Sequence, residues 1–270
     1  MSTIQLSIEE LIFAFYSEGL YEEGISMKET YFPSLQDSEL KLMLEFAARS
    51  LLAKDMAIEV NNQYRLKENY KSYINILSNA EKTVKASRFD LNSEGEDNIS
   101  FHFGNGEIYF HKLLHDHQVH YISKYQKEEI MPSIIEFFHI SKLPVQDELL
   151  FSLKNEEFEE FLGDMSENES LSESAVQKWQ NRIRSSFSFE FLKDFSNRKG
   201  RMDSLLSLGY DSANNPDLID LYFIIPGETH IWLITRDQNL DLNVKRVNET
   251  SIKNLLFSKA LLGGVSLVND

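Results

Sequence analysis

Two stretches decide how this chain reads. The first is Ile108-Tyr109-Phe110-His111-Lys112-Leu113-Leu114, then His115-Asp116-His117, then Gln118-Val119-His120-Tyr121-Ile122-Ser123-Lys124. The second is Leu221-Tyr222-Phe223-Ile224-Ile225, then Pro226-Gly227-Glu228-Thr229, then His230-Ile231-Trp232-Leu233-Ile234-Thr235-Arg236. Each reads as two β arms around a polar tip, and an amphipathic helix follows each, Glu128 to Phe138 and Glu249 to Leu262. One supersecondary unit used twice points to an internal pseudo-two-fold. The predicted class is α+β: a central antiparallel sheet built from two hairpin–helix units, flanked by helical bundles.

Outward from the first hairpin, toward the N-terminus, Ser7 caps a helix carrying Leu11, Ile12, Phe15 and Tyr16, and Gly19 and Gly24 mark its end and a loop. Asp37 caps a second helix carrying Leu40, Leu42, Met43, Leu44, Phe46, Ala47, Leu51 and Leu52. Met56 to Val60, the turn Asn61-Asn62, and Tyr64 to Leu66 form a small hairpin, so the chain opens with a winged-helix-like element. A helix over Glu68 to Ala80, a strand over Thr83 to Leu91 and a polar loop over Asn92 to Asn98 lead into a meander. Its first turn is Gly104-Asn105-Gly106, a strong hairpin signal.

Residues 143–172 read as an acidic joining region with one short helix, Glu156 to Leu162, and a disordered loop, Met165 to Ser172. The second half continues with a helix over Glu173 to Ser185, a strand-like Ser186 to Phe191 and a polar turn over Asp194 to Gly200. Strands over Met202 to Leu208 and Leu240 to Val247 flank the second hairpin. The predicted organisation is one compact domain with halves 1–142 and 173–270.

Length and composition narrow the function. A chain of 270 residues with 42% hydrophobic and 12% aromatic content sustains a core without staples. The absence of cysteine excludes disulfides, thiolate zinc sites and cysteine nucleophiles, and suits a reducing compartment. Met1 to Leu6 lacks the basic flank and apolar core of a signal peptide. The longest apolar run, Leu255 to Val268, is interrupted by Ser258, Lys259, Gly263 and Gly264 and is too short to span a bilayer. The expectation is a cytoplasmic protein without membrane contact. A net charge of −16 opposes binding to nucleic acid or anionic lipid and favours a basic or apolar protein partner.

Chemistry-bearing patterns are sparse. His111, His115, His117 and His120 cluster around Asp116, but they match no helical ligand motif, and no metal is expected. Glu9-Glu10, Glu128-Glu129 and Glu156-Glu157 read as first-turn acids that suit the helix dipole. The sequence has no nucleophile elbow and no glycine-rich phosphate loop, so neither an enzyme nor a cofactor is expected. The helix from Asp37 to Lys54 sets Lys41, Arg49 and Lys54 against Asp37, Glu39 and Glu45, which is a poor phosphate footprint.

Apolar surface is the remaining feature. Phe110, Leu113 and Leu114 approach the polar tip, and consecutive leucines cannot both face one side of a sheet. One of them faces solvent or a partner. Phe195, Met202, Leu205 and Leu206, between the second-half helix and hairpin, read mainly as core.

The order helix, helix, wing, meander, helix, then a second hairpin and helix, resembles the EspG family, cytoplasmic chaperones of type VII secretion. The likeness is carried by Leu6-Ser7-Ile8-Glu9-Glu10-Leu11, by Ala47-Ala48-Arg49-Ser50-Leu51-Leu52-Ala53-Lys54 before the wing, by Gly106 to Tyr125, and by Pro226 to Thr235 before the helix Ser251 to Leu261. The resemblance implies a non-enzymatic chaperone or adaptor that holds a helical secreted protein. The gripping face would be the hairpin loop, Phe110 to Gln118, and the last helix, about Ile252 to Leu262. Its partner-binding residues would be Phe110, Leu113, Leu114, His115 and His117, with Leu255, Leu256 and Lys259. Two alternatives stay open: a winged-helix DNA-binding regulator and an acidic toxin-neutralising immunity protein.

Overall fold

Ser7 begins the first helix as the sequence predicts. Its side chain accepts from Glu10 N–H at 3.3 Å, and Glu10 Oε2 accepts from Ser7 N–H at 2.8 Å, a reciprocal capping box. The computed structural model describes residues 3–90, 95–140, 148–166, 172–183, 185–227, 230–237, 239 and 241–256. The first half comprises β1 (Thr3–Ser7), α1 (Ile8–Ser17), α2 (Tyr21–Tyr31), α3 (Asp37–Ala53), β2 (Ala57–Val60), β3 (Gln63–Leu66), α4 (Glu68–Ser78), β4 (Lys82–Phe89), β5 (Glu96–Gly104), β6 (Glu107–Leu114), β7 (Val119–Tyr125) and α5 (Lys127–Phe137). The second comprises β8 (Glu148–Leu153), α6 (Asn155–Ser166), α7 (Glu173–Arg182), α8 (Ser188–Asn197), β9 (Asp203–Tyr210), β10 (Pro216–Pro226), β11 (Ile231–Arg236), β12 (Leu242–Arg246) and α9 (Glu249–Leu256).

Ten strands form one antiparallel sheet in the order β1-β7-β6-β5-β4-β9-β10-β11-β12-β8. The order is the same in both directions from the centre. A four-strand meander runs outward on each side, and the strand that opens each half closes the edge. The two halves join where β4 pairs with β9, from Lys82 opposite Gly209 to Ser87 opposite Ser204. The fold class is therefore the α+β pseudo-two-fold read from the sequence, with a correction to the repeat. By position in the sheet, β6–β7 corresponds to β11–β12, and β10–β11 corresponds to β5–β6. The two hairpins that look alike in sequence are offset by one strand, because alternating apolar residues mark every arm of a meander alike.

Alternation along the strands builds cores on both faces of the sheet. On one face, Val84, Ala86, Phe101, Phe110, Leu205, Ile224 and Leu233 pack with Ile130 and Ile134 of α5 and Ile252 of α9, so a shared core crosses the junction. On the other face there are two cores. Leu11, Phe15, Leu51 and Tyr73 cover Tyr109 and Ile122 in the first half. Phe161, Trp179, Phe191 and Phe195 cover Trp232 and Ile234 in the second. Phe161, Phe191 and Phe195 stack with centroids 5.3 to 5.9 Å apart, and each buried ring contributes roughly 1.5–3 kcal/mol.

The described part of the joining region packs with the second half. Residues 148–153 form the edge strand β8 on β12, and α6 delivers Phe158, Phe161 and Met165 to the second bundle. Met165 and Ser166 end α6 and Ser172 caps α7, while 167–171 of the expected loop lie outside the described residues. Ser186 to Phe191 is not a strand, and Asp194 to Gly200 is not wholly a turn, because α8 overlaps both. Phe187, Phe189 and Phe191 mimic strand alternation, yet burial follows helical spacing through Phe191, Leu192 and Phe195, leaving Phe189 exposed. Gly24 sits inside α2 rather than in a loop, where an added Cβ would meet the Tyr16 ring at 3.0 Å. Gln36, not Asp37, is the N-cap of α3. The predicted hairpin after α3 is present as β2–β3, with Asn61 and Asn62 at φ 53° and 58°. Leu91, Asn92, Glu228, Thr229 and the last helix beyond Leu256 lie outside the described residues.

Candidate functional site

The end of the β6–β7 hairpin borders a groove of about 430 Å³, within the size range of small ligand and peptide pockets. Its floor is sheet and its wall is the C-terminal end of α5 with His139. Strand alternation decides who lines it. By alternation, Ile108, Phe110, Lys112 and Leu114 share the α5 side of β6, whereas Tyr109, His111 and Leu113 lie on the other side, where Tyr109 packs in the first bundle. The consecutive leucines alternate between the two sides, yet both border the groove at the strand end, half-buried.

The floor is aromatic. Phe110 stacks on Tyr125 at 4.9 Å with planes 18° apart, and meets Tyr121 edge-on at 6.1 Å. Lys112 Nζ lies 5.1 Å from the Tyr121 ring centroid, which keeps a cation over the apolar floor. Tyr125 Oη and Ser133 Oγ are 3.2 Å apart and join the sheet to α5.

Arg88 pins the wall. It donates to Phe137 O at 2.9 Å, pairs with Asp97 at 2.9 Å, lies 5.2 Å from the Phe137 ring centroid and contacts His139 Nε2. Nothing in the sequence marks Arg88, because its partners are on β5 and at the end of α5.

Of the sequence-predicted residues, Phe110, Leu113 and Leu114 are brought together here, although Phe110 is 7% exposed and serves mainly as floor. His115 and His117 occupy the exposed tip beside the groove, where His115, Asp116 and His117 take φ of 52°, 50° and 66°. Three successive left-handed residues are conformationally costly, and Gln118 N–H donating to His115 O at 3.1 Å closes the tip. Leu255 on α9 packs half-buried against the same core but does not line the groove. The Leu256 side chain and Lys259 lie outside the described residues. Phe195, Leu205 and Met202 pack in the cores.

The histidine cluster divides. His111 and His120 meet His102, which the sequence cluster did not include, in a row across β5, β6 and β7 on the face opposite the groove. His111 Nε2 lies 3.0 Å from His120 Nδ1, and His102 Nδ1 lies 2.9 Å from Thr83 Oγ1. Burial lowers both His102 and His120 to about 4. Burial, then the neighbouring His102 and His120, holds His111 well below the ordinary value. Among the described residues, no group of three or more His, Asp or Glu side chains is placed to hold a metal ion. Diagonal neighbours on paired strands bring these rings together, a relation visible only once register is known.

No helix among the described residues is long and apolar enough to cross a membrane. The fold matches the Mycobacterium tuberculosis type VII secretion system chaperone EspG5, solved in complex with a PE25–PPE41 dimer. The TM-score is 0.63 over 98% of this chain and 97% of that one, at 9% sequence identity. The EspG-like fold inferred from the sequence is thus present, but sequence kinship lies elsewhere. A Bacillus subtilis (strain 168) protein described as uncharacterized protein YfjC is 40% identical over 237 residues, covering 87% of this chain and 91% of that protein. The family model described as "Uncharacterised protein YfjC" matches residues 3–256, and the chain belongs to that family.

Proposed function

We propose that this protein is a non-enzymatic adaptor that docks an apolar helical segment of a protein partner in the hairpin groove, as a chaperone of a type VII secretion substrate. One observation carries the reading: an aromatic-floored groove of about 430 Å³ opens beside the protruding hairpin, in a chain whose whole length follows a secretion chaperone's fold. The geometry suits helix-in-groove recognition. Leu114 and the rings of Phe110 and Tyr121 accept apolar anchors, and Lys112 stands where a helix C-terminus or carboxylate approaches. An acidic exterior at net charge −16 keeps the assembly soluble and repels nucleic acid. The partner is a helical secreted protein and the compartment the cytoplasm.

The test is co-expression with helical-hairpin proteins encoded at the same locus. Wild-type protein should co-purify one of them as a stoichiometric complex. Leu114→Asp, at a half-buried position, should remove the complex while leaving the melting temperature of the free chain nearly unchanged. Retention of the complex in that variant, or failure to capture any such protein, would reject the reading.

A further inference from the structure

The opposite side of the sheet carries a second surface that the hairpin groove does not explain. α3 is 17 residues long, and its buried residues are Ala47, Ala48 and Leu51. Its first turns therefore stand away from the bundle. Leu42 and Phe46, one turn apart on one face, are 51% and 57% exposed. With Met43 and Ala47 they line a mainly apolar groove of about 420 Å³ between α3 and the start of α1. Two large apolar side chains exposed side by side on one helix face lack a packing partner.

The charge around the groove selects the occupant. Its other walls include Glu9, Glu10 and Glu39. Glu10 is offset by Lys54 at 2.7 Å, but Glu9 and Glu39 leave an acidic rim. Arg49, whose guanidinium lies 5.7 Å from the Phe46 ring centroid, is paired with Glu45 at 3.6 Å. A second copy of this chain would bring the same carboxylates and a net charge of −16 to the contact, and is repelled. We infer that the α1–α3 groove docks a basic amphipathic helix of another protein. Its apolar stripe covers Leu42 and Phe46, and its flanking Lys or Arg residues meet Glu9 and Glu39. This site is independent of the hairpin groove and does not rest on the function proposed for it.

The experiment uses the full chain and a fluorescein-labelled Leu/Lys peptide of helical period, read by fluorescence anisotropy at low and near-physiological ionic strength. Binding should weaken about tenfold or more in Phe46→Ser. It should also weaken in Glu39→Gln, which keeps the oxygen that accepts from Gln36 N–H at 2.9 Å while removing the charge. Leu114→Asp should bind as wild type. The variants are solvent-facing and expected to fold; Leu42→Ser repeats the test if Phe46→Ser does not. Equal binding by Phe46→Ser or Leu42→Ser, equal binding of a Leu/Glu peptide, or self-association in sedimentation that Phe46→Ser abolishes would each overturn the inference.

Discussion

His111 Nε2 sits 3.0 Å from His120 Nδ1, with ring centroids 5.2 Å apart and planes 11° apart. Such a stack suits neutral imidazoles and opposes protonation. His120 and His102 both fall to about 4 through burial. Above the ordinary imidazole value, near 6.5, folded and unfolded chains are alike neutral. As the pH falls through that value the unfolded chain binds protons that the folded chain refuses. Stability should therefore decline from about pH 6.5 to about pH 4, by roughly 1.4 kcal/mol for each unit a pKa is depressed. Urea midpoints measured across this window should fall less steeply in His120→Gln than in wild type; parallel curves would refute the assignment.

Asp203 and Arg198 form a second constrained pair at the junction of the halves. Arg198 donates to Asp203 Oδ1, which also accepts from Phe89 N–H at 2.9 Å. Burial raises the Asp203 carboxyl, against the lowering effect of Arg198. Arg198→Met leaves that carboxylate buried without its cation and should cost about 3–5 kcal/mol by chemical denaturation at neutral pH. The deficit relative to wild type should shrink in acid, where the carboxyl protonates.

Gly227 closes the β10–β11 turn, its N–H donating to His230 O at 2.9 Å. A Cβ there would lie 2.0 Å from Asp194 Oδ2. Asp194 cannot simply move, since that oxygen accepts from the buried Trp232 Nε1 at 2.8 Å. Gly227→Ala should destabilise by about 1–3 kcal/mol and shift Trp232 fluorescence, whereas Gly163→Ala, with open space at its Cβ position, should not.

At the hairpin tip, His117 has φ 66°. His117→Gly should relieve a left-handed strain of about 1 kcal/mol and raise the thermal midpoint, while His117→Val should lower it. A tip that contacts the partner through this side chain should lose affinity in both variants, since each removes the imidazole presented.

Local signals account for much of what was legible. The Asn105–Gly106 turn, the Ser7 cap and the alternation from Ile108 to Lys124 each specify their element from neighbours alone. The edge strands were missed for the converse reason. Thr3–Ser7 and Glu148–Leu153 are strands because β7 and β12 offer them an edge, with Leu6 opposite His120 and Leu153 opposite Leu242. Likewise Arg88, His102 and the exposed faces of Leu42 and Phe46 acquire their roles from residues distant in sequence.

The sequence by itself determined the α+β class, the doubled plan, the acidic exterior and the hairpin on which Phe110, Leu113 and Leu114 sit, because periodicity, turn chemistry and charge act over a few residues. The tertiary structure alone decided which strands correspond across the pseudo-two-fold and which histidines meet. It also decided that both leucines border the groove and which apolar residues of α3 are left uncovered. Those outcomes depend on sheet register and on long-range packing, where a shift of one strand or one residue exchanges every neighbour while leaving the local pattern intact.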